Sequence, residues 1–262
     1  MGRAPLVPIG DGSWSPYIGP CAENPGGLAL FAEGDECQTH GTFTGRDYLL
    51  GCDYLILGEV VEPHELGTDF ILKTYQQPFT KDNSAASQPY YSHHVFGHMV
   101  RDEVKLFLKA YYNQMTGLQD RETYTFWEHF FTAGLHKVSE EAFFLMQTRM
   151  MLYMEEGDTL KLLRMVPRRW LEDGKEIKLS GVKTHFGALE LHVKSALQAE
   201  GAITALVVCD MKRAPKSVTL RLPHPDTRKA LRVEGGEYNP ETETVTIDGF
   251  TGKAAVTLRF TP

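Results

Sequence analysis

The stretch Val166-Pro167-Arg168-Arg169-Trp170-Leu171-Glu172-Asp173-Gly174-Lys175, residues 166–175, separates two kinds of sequence. Before it, apolar residues recur at helical spacing. After it come short β-branched runs divided by turn residues. This change of period predicts a multidomain α and β protein, with an α-helical domain over residues 1–165 and an antiparallel β-sandwich over residues 166–262. A chain of 262 residues is long enough for two such cores.

Upstream, residues 1–45 are rich in glycine and proline and read as irregular loop with at most one short helix. Arg46 to Val61 has the dense apolar periodicity of a buried helix closed by Pro63, and residues 65–76 follow as a shorter one. From His94 to Met115, Val95, Met99, Val104, Phe107, Leu108, Tyr111 and Tyr112 describe a long amphipathic helix. Ser139-Glu140-Glu141 opens another, to about Glu155, with Ser139 as N-cap and acids in the first turn. A last short helix is expected from Asp158 to Met165. Downstream, seven strands are expected: Ile177–Leu179, Leu189–Val193, Ile203–Val208, Ser217–Leu222, Ala230–Val233, Thr244–Ile247 and Ala255–Phe260. Asn239-Pro240 within Tyr238–Thr242 supplies a turn.

Charge and aromatic content favour the first half for chemistry. Residues 1–165 carry 12 Lys+Arg against 22 Asp+Glu, a balance that argues against a nucleic-acid partner. The same half holds 23 of the 28 aromatics and seven of the ten histidines, so the candidate site is sought there. The four cysteines show no CxxC spacing and are too sparse for a disulfide scaffold, so a reduced compartment is expected, with a Cys21–Cys37 bridge as the alternative, and the lack of a signal-peptide stretch points to a cytoplasmic location. No apolar stretch reaches signal-peptide or membrane-spanning length, and no membrane partner is expected.

The segment Glu122-Thr123-Tyr124-Thr125-Phe126-Trp127-Glu128-His129-Phe130-Phe131 sets two carboxylates and a histidine among five aromatic rings. It lies in a connection of roughly 20 residues between two helices, where about 2–8 is usual. Aromatic faces stack on sugar rings, and a desolvated carboxyl keeps its proton, as a general acid requires.

Tyr90-Tyr91-Ser92-His93-His94, Glu103 to Asn113, Asp120 to His129 and Glu140 to Gly157, taken with residues 166–175, resemble the C-terminal portion of bacterial six-hairpin glycosidases. In that family an (α/α)6 toroid precedes a small β-sandwich, and the active site lies in a funnel lined by interhelical loops. The resemblance implies the last hairpins of a partial toroid plus the sandwich, and hydrolysis of a glycosidic bond by paired carboxyl groups. The chain would then be a fragment of a longer enzyme. Apolar helix faces left uncovered would favour self-association.

Glu128 is the candidate proton donor and Glu141 the second catalytic candidate. Tyr90, Tyr91 and Trp127 are candidate stacking platforms, and His129 and His136 candidate sugar contacts. Glu122 is read as an ion-pair partner of Arg121, and Asp102 and Glu103 as a solvated face beside Lys105 and Lys109. His94 and His98 are spaced i,i+4 on a helix, as zinc ligands often are, but His94-Val95-Phe96-Gly97-His98 lacks the HExxH glutamate, so no metal and no cofactor are expected. The favoured reading is a glycoside hydrolase-like module acting on a carbohydrate substrate. The alternative is a non-catalytic carbohydrate-binding or structural fragment.

Overall fold

The computed structural model describes residues 6–8, 14–16, 55–66, 68–69, 72, 93–129 and 133–260, with the backbone alone for 6–8, 14–16, 128–129 and 133–134. The chain divides into two compact units, Met1–Gln147 and Thr148–Pro262.

In the first unit, β1 (Leu6–Pro8) pairs antiparallel with β2 (Trp14–Pro16). Residues 55–57, 66, 68, 69 and 72 are helical, with Ile56, Thr68 and Leu72 buried. Residues 58–61, expected to continue the first helix to Val61, are instead turn and bend, and Glu65 is a bend; the rest of the expected helices over 46–61 and 65–76 lies outside the described residues. The long helix expected from His94 to Met115 is broken into α1 (His94–Val100) and α2 (Val104–Leu118). Asp102 takes a left-handed backbone, φ 59°, and the Glu103 amide turns back to the His98 carbonyl. Apolar spacing continues across the break, which is why periodicity alone joins the two helices.

After α2 the chain folds into a hairpin of β3 (Trp127–His129) and β4 (Ala133–Leu135), then α3 (Val138–Leu152). Leu118 and Phe126 are buried against Met115, Phe143 and Phe144, which ties α2, the hairpin and α3 into one core. Tyr111 and Phe144 stack at 5.8 Å, and His93 meets Phe143 edge-on at 4.6 Å. The resemblance to six-hairpin glycosidases is not met by this architecture. Helices of seven, fifteen and fifteen residues, interrupted by a two-stranded sheet, do not form helical hairpins of a partial (α/α)6 toroid.

The second unit also departs from expectation. In place of the expected antiparallel β-sandwich it has two open five-stranded sheets, one in the order β12 (Glu237–Asn239), β13 (Thr244–Asp248), β10 (Ser217–Arg221), β6 (Thr159–Leu162), β5 (Tyr153–Glu156), the other in the order β11 (Arg232–Glu234), β14 (Lys253–Arg259), β9 (Ala202–Met211), β8 (Gly187–Ala196), β7 (Glu176–Thr184). The first sheet is mixed. Its β5 (Tyr153–Glu156) and β6 (Thr159–Leu162) form a hairpin at Gly157, and β6 pairs in parallel with β10 (Ser217–Arg221). The segment expected to be a helix from Asp158 to Met165 is therefore mostly strand: Gly157 has φ 57°, a turn conformation suited to glycine, and Leu160 and Leu162 are buried while Thr159 and Lys161 are partly exposed.

The sheet's apolar face is set by register. Leu160 and Leu162 lie opposite Val218 and Leu220, which lie opposite Ile247 and Val245 of β13 (Thr244–Asp248). Five of these six side chains are fully buried or nearly so, and each contributes about 1.5–3 kcal/mol by leaving water. β12 (Glu237–Asn239) joins β13 through the expected turn, where the Asn239 carboxamide oxygen accepts the Glu241 amide. The second sheet runs β7 (Glu176–Thr184), β8 (Gly187–Ala196), β9 (Ala202–Met211), β14 (Lys253–Arg259) and β11 (Arg232–Glu234). Leu189, Leu191 and Val193 of β8 lie opposite Cys209, Val207 and Ala205 of β9, all buried. The short helix η1 (Arg168–Leu171) precedes β7, and its Leu171 is fully buried.

Candidate functional site

The aromatic connection is held at its root by Asp120. This carboxylate accepts the backbone amides of Glu122 and Thr123 and the Thr123 hydroxyl, while its own amide donates to the Thr125 carbonyl. The carboxyl lies below the usual range, chiefly through the Thr123 amide and hydroxyl, with the Trp127 indole N–H a further donor. The segment thus turns back at residues 120–125, so Glu122 and Glu128 are not at the ends of one extended run. Glu122 is exposed and makes no ion pair with Arg121.

β3 carries Trp127, Glu128 and His129 at consecutive positions, with Trp127 opposite Leu135 and His129 opposite Ala133. Successive strand positions alternate faces, so position 128 belongs to the opposite face from 127 and 129. Trp127 is half-buried, and His136 is exposed with φ 60°. The Lys137 amide donates to the Phe126 carbonyl and the Glu141 amide to the Lys137 carbonyl, each at 3.2 Å. Glu128 and Glu141 are therefore carried on adjoining elements. Tyr90 and Tyr91 lie outside the described residues.

At the start of α3 it is Glu140 that is fully buried, while Glu141 is half-buried. Ser139 does not cap the helix; its hydroxyl donates to Glu140 Oε2 at 2.8 Å. Along α3, Glu140, Gln147 and Met151 are buried and Phe143 and Phe144 partly buried, so two polar side chains are enclosed beside the rings. The sequence gives no sign of this, because acids in a first helical turn are already explained by the helix dipole.

α1 supplies a second constellation. Glu103, read from sequence as a solvated residue beside Lys105 and Lys109, instead accepts from His98 Nδ1 at 2.7 Å and from Arg101 at 3.1 Å. Arg101 also reaches Asp69. With Nδ1–H donating to the carboxylate, neutral His98 has a bare Nε2, which accepts from His94 Nε2–H at 3.0 Å. Burial pushes the His94 pKa down to about 3 and those of His93 and His98 to about 4, in His98 against the pull of Glu103. The result is a carboxylate–imidazole–imidazole relay, uncharged on its histidines at neutral pH. Among the described residues no group of three or more His, Cys, Asp and Glu side chains has the arrangement of a metal site.

In the second unit, Glu243 is buried and takes both nitrogens of the Arg168 guanidinium, at 2.8 and 2.5 Å, with Arg221 at 3.6 Å. Arg168 also donates to the His224 carbonyl and Arg221 to the Val166 carbonyl. This network fastens the chain on either side of Pro167 to the first sheet.

No protein-family model matches the chain, and no curated protein matches it. Among solved structures it is similar to the crystal structure of Ara127N-Se, a GH127 β-L-arabinofuranosidase from Geobacillus stearothermophilus T6. Sequence identity is 12%, the TM-score is 0.35, and the likeness covers 70% of this chain and 33% of that one. The chain spans about a third of the length of that enzyme, and the likeness to a glycosidase is remote and partial. No helix among the described residues is long and apolar enough to cross a membrane.

Proposed function

We propose that the chain is a glycoside hydrolase-like module that cleaves a glycosidic bond with paired carboxyl groups, Glu128 as proton donor and Glu141 as its partner. The observation that supports this most directly is the backbone link from Phe126 through Lys137 to Glu141, which joins the strand carrying Trp127, Glu128 and His129 to the helix carrying Glu141. Glycoside cleavage needs two carboxyl groups about 5–9.5 Å apart, one as acid and the other as base or nucleophile, and adjoining elements are one way to bring such a pair together. Trp127, His129 and His136, with Tyr90 and Tyr91, are the sugar contacts in this reading, and the chemistry needs no cofactor.

The test is turnover of a panel of aryl glycosides by the full chain and by Glu128→Gln and Glu141→Gln. Loss of the acid is expected to lower kcat by about 10²–10⁴-fold. It should do so least for substrates whose leaving group needs no proton. Undiminished turnover in both variants would overturn the assignment. Absence of turnover in the parent chain, with glycan binding retained, would leave the binding-module alternative as the correct one.

A further inference from the structure

The second unit has a groove of about 290 Å³ between the loop after η1, the β8–β9 loop, the loop after β10 and the end of β14. Its lining includes Asp173, Gln198, His224, Asp226, Arg228 and Phe260. The volume is at the small end for ligand sites, suited to one ring rather than a drug-sized molecule.

His224 is the informative member. It is 4% exposed, and every part of it but one is committed. Its carbonyl accepts from Arg168 at 2.8 Å and from the Thr227 amide at 3.1 Å, its ring lies 4.7 Å from that of Phe260, and its Nδ1 accepts the Asp226 amide at 3.0 Å. An imidazole that accepts at Nδ1 carries its proton on Nε2. That Nε2–H has no partner among the described residues, and the residue lines the groove. Burial keeps the ring on the neutral side, its pKa lowered chiefly by desolvation. Because Glu243 holds Arg168 and Arg168 holds His224, the donor is fixed in place before any ligand arrives.

The remaining chemistry selects the ligand. Glu172 is paired with Lys175 at 2.6 Å, and Asp226 has Arg228 at 4.0 Å, so two of the three carboxylates at the groove already face cations. Asp173 accepts the Gln198 amide with one oxygen and has a second to offer. The lining combines these acceptors and donors with the apolar Leu197, Pro225 and Phe260. An anion would meet too many carboxylates and a cation would meet Arg228. An uncharged ring with hydroxyls on its rim and C–H groups on its face matches both parts.

We propose that this groove binds one neutral sugar residue, free or at the end of a glycan, with His224 Nε2 donating to a hydroxyl and Asp173 and Asp226 accepting from others. The site lies wholly in the second unit and does not depend on the hydrolytic reading of the first.

The test follows amide shifts of the isotope-labelled full chain during titration with methyl glycosides of glucose, galactose, xylose and arabinose. A trisaccharide of any sugar that binds runs in parallel, and inorganic phosphate and methylguanidinium serve as charged controls. At least one glycoside is expected to shift the amides of Gln198, Gly201, Asp226 and Arg228. Equal affinity for the trisaccharide would show a chain-end site, and weaker affinity a site for free sugar. His224→Phe keeps the ring contact with Phe260 and loses the donor, so binding should weaken about five- to tenfold. Asp226→Ala and Arg228→Ala alter exposed positions and should weaken it without disturbing the fold. Glu128→Gln should bind as the parent does, which separates failure here from failure of the hydrolase reading. No shift with any glycoside, shifts with a charged control alone, or sugar binding unchanged in all three groove variants would overturn the proposal.

Discussion

A charge buried with its partner becomes a liability when the partner is removed, and Glu243 is the sharpest case in this molecule. Its carboxylate is 4% exposed and answers Arg168 and Arg221 together. Glu243→Ala removes the carboxylate that both guanidinium groups share and is expected to cost about 3 kcal/mol, measured as loss of unfolding free energy in urea. Gln147 poses the opposite problem. It is fully buried, and neither its amide nitrogen nor its oxygen has a hydrogen-bond partner. Replacing it with the isosteric, apolar methionine should therefore stabilise the protein by about 1 kcal/mol, and a Gln147→Met variant that is less stable than the parent would refute this account. Neither residue could be singled out from sequence. Glu243 lies in a polar turn, its contact with Arg168 is 75 positions distant, and burial of a glutamine leaves no mark on composition. What could be read was the clustering of rings and acids around Glu128, because that clustering is local.

Elements were legible where one face is apolar and the other polar, and were misread where that contrast fails. β8 and β9 alternate cleanly and were placed within a few residues. α3 does not separate its faces: Glu140 and Gln147 are buried, while Val138 and Leu145 are 75% and 68% exposed. Its hydrophobic pattern fixes a helix but not which side turns inward. Val138, Ala142 and Leu145 fall at i, i+4 and i+7, an exposed apolar stripe of the kind that drives association. Self-association through this stripe is the expected behaviour, and Leu145→Glu should shift sedimentation toward the monomer while leaving helical circular dichroism unchanged. Equal sedimentation of parent and variant would remove α3 from the interface. The break between α1 and α2 was missed for a related reason. Both helices bury residues in register with one long helix, and only the left-handed Asp102 and the inward turn of Glu103 reveal the joint.

At the scale of the whole molecule, the pairing of β6 with β10 was beyond sequence reasoning, since Thr159 and Ser217 meet across 58 positions and a parallel pair has no hairpin turn to announce it. The two units differ in how they are polarised inside, and this has a measurable consequence. The first unit buries three imidazoles, His93, His94 and His98, whose pKa values in the fold lie at about 4, 3 and 4, below the ordinary 6.5. An unfolded chain takes up these protons as the pH falls through 6.5, and the native chain refuses them until about pH 4 at His93 and His98 and about pH 3 at His94. The contribution of the three groups is therefore intact above pH 6.5 and is lost progressively as the pH falls to these values, at up to about 1.4 kcal/mol per proton per pH unit. Glu103 and Arg101, which face the relay, oppose each other and do not change this sign. The second unit relies on the Arg168–Glu243 pair and buries a single imidazole among its described residues, His224, whose pKa is lowered chiefly by burial. Calorimetry between pH 7 and 5 should accordingly show the transition of the first unit moving down in temperature well ahead of the second. Glu243→Ala identifies the second transition by lowering it selectively at pH 7, and replacing His94 and His98 together with glutamine should flatten the acid response of the first. If both transitions fall in parallel on acidification, or if the double variant remains as acid-sensitive as the parent, the buried imidazoles are not the origin of the effect.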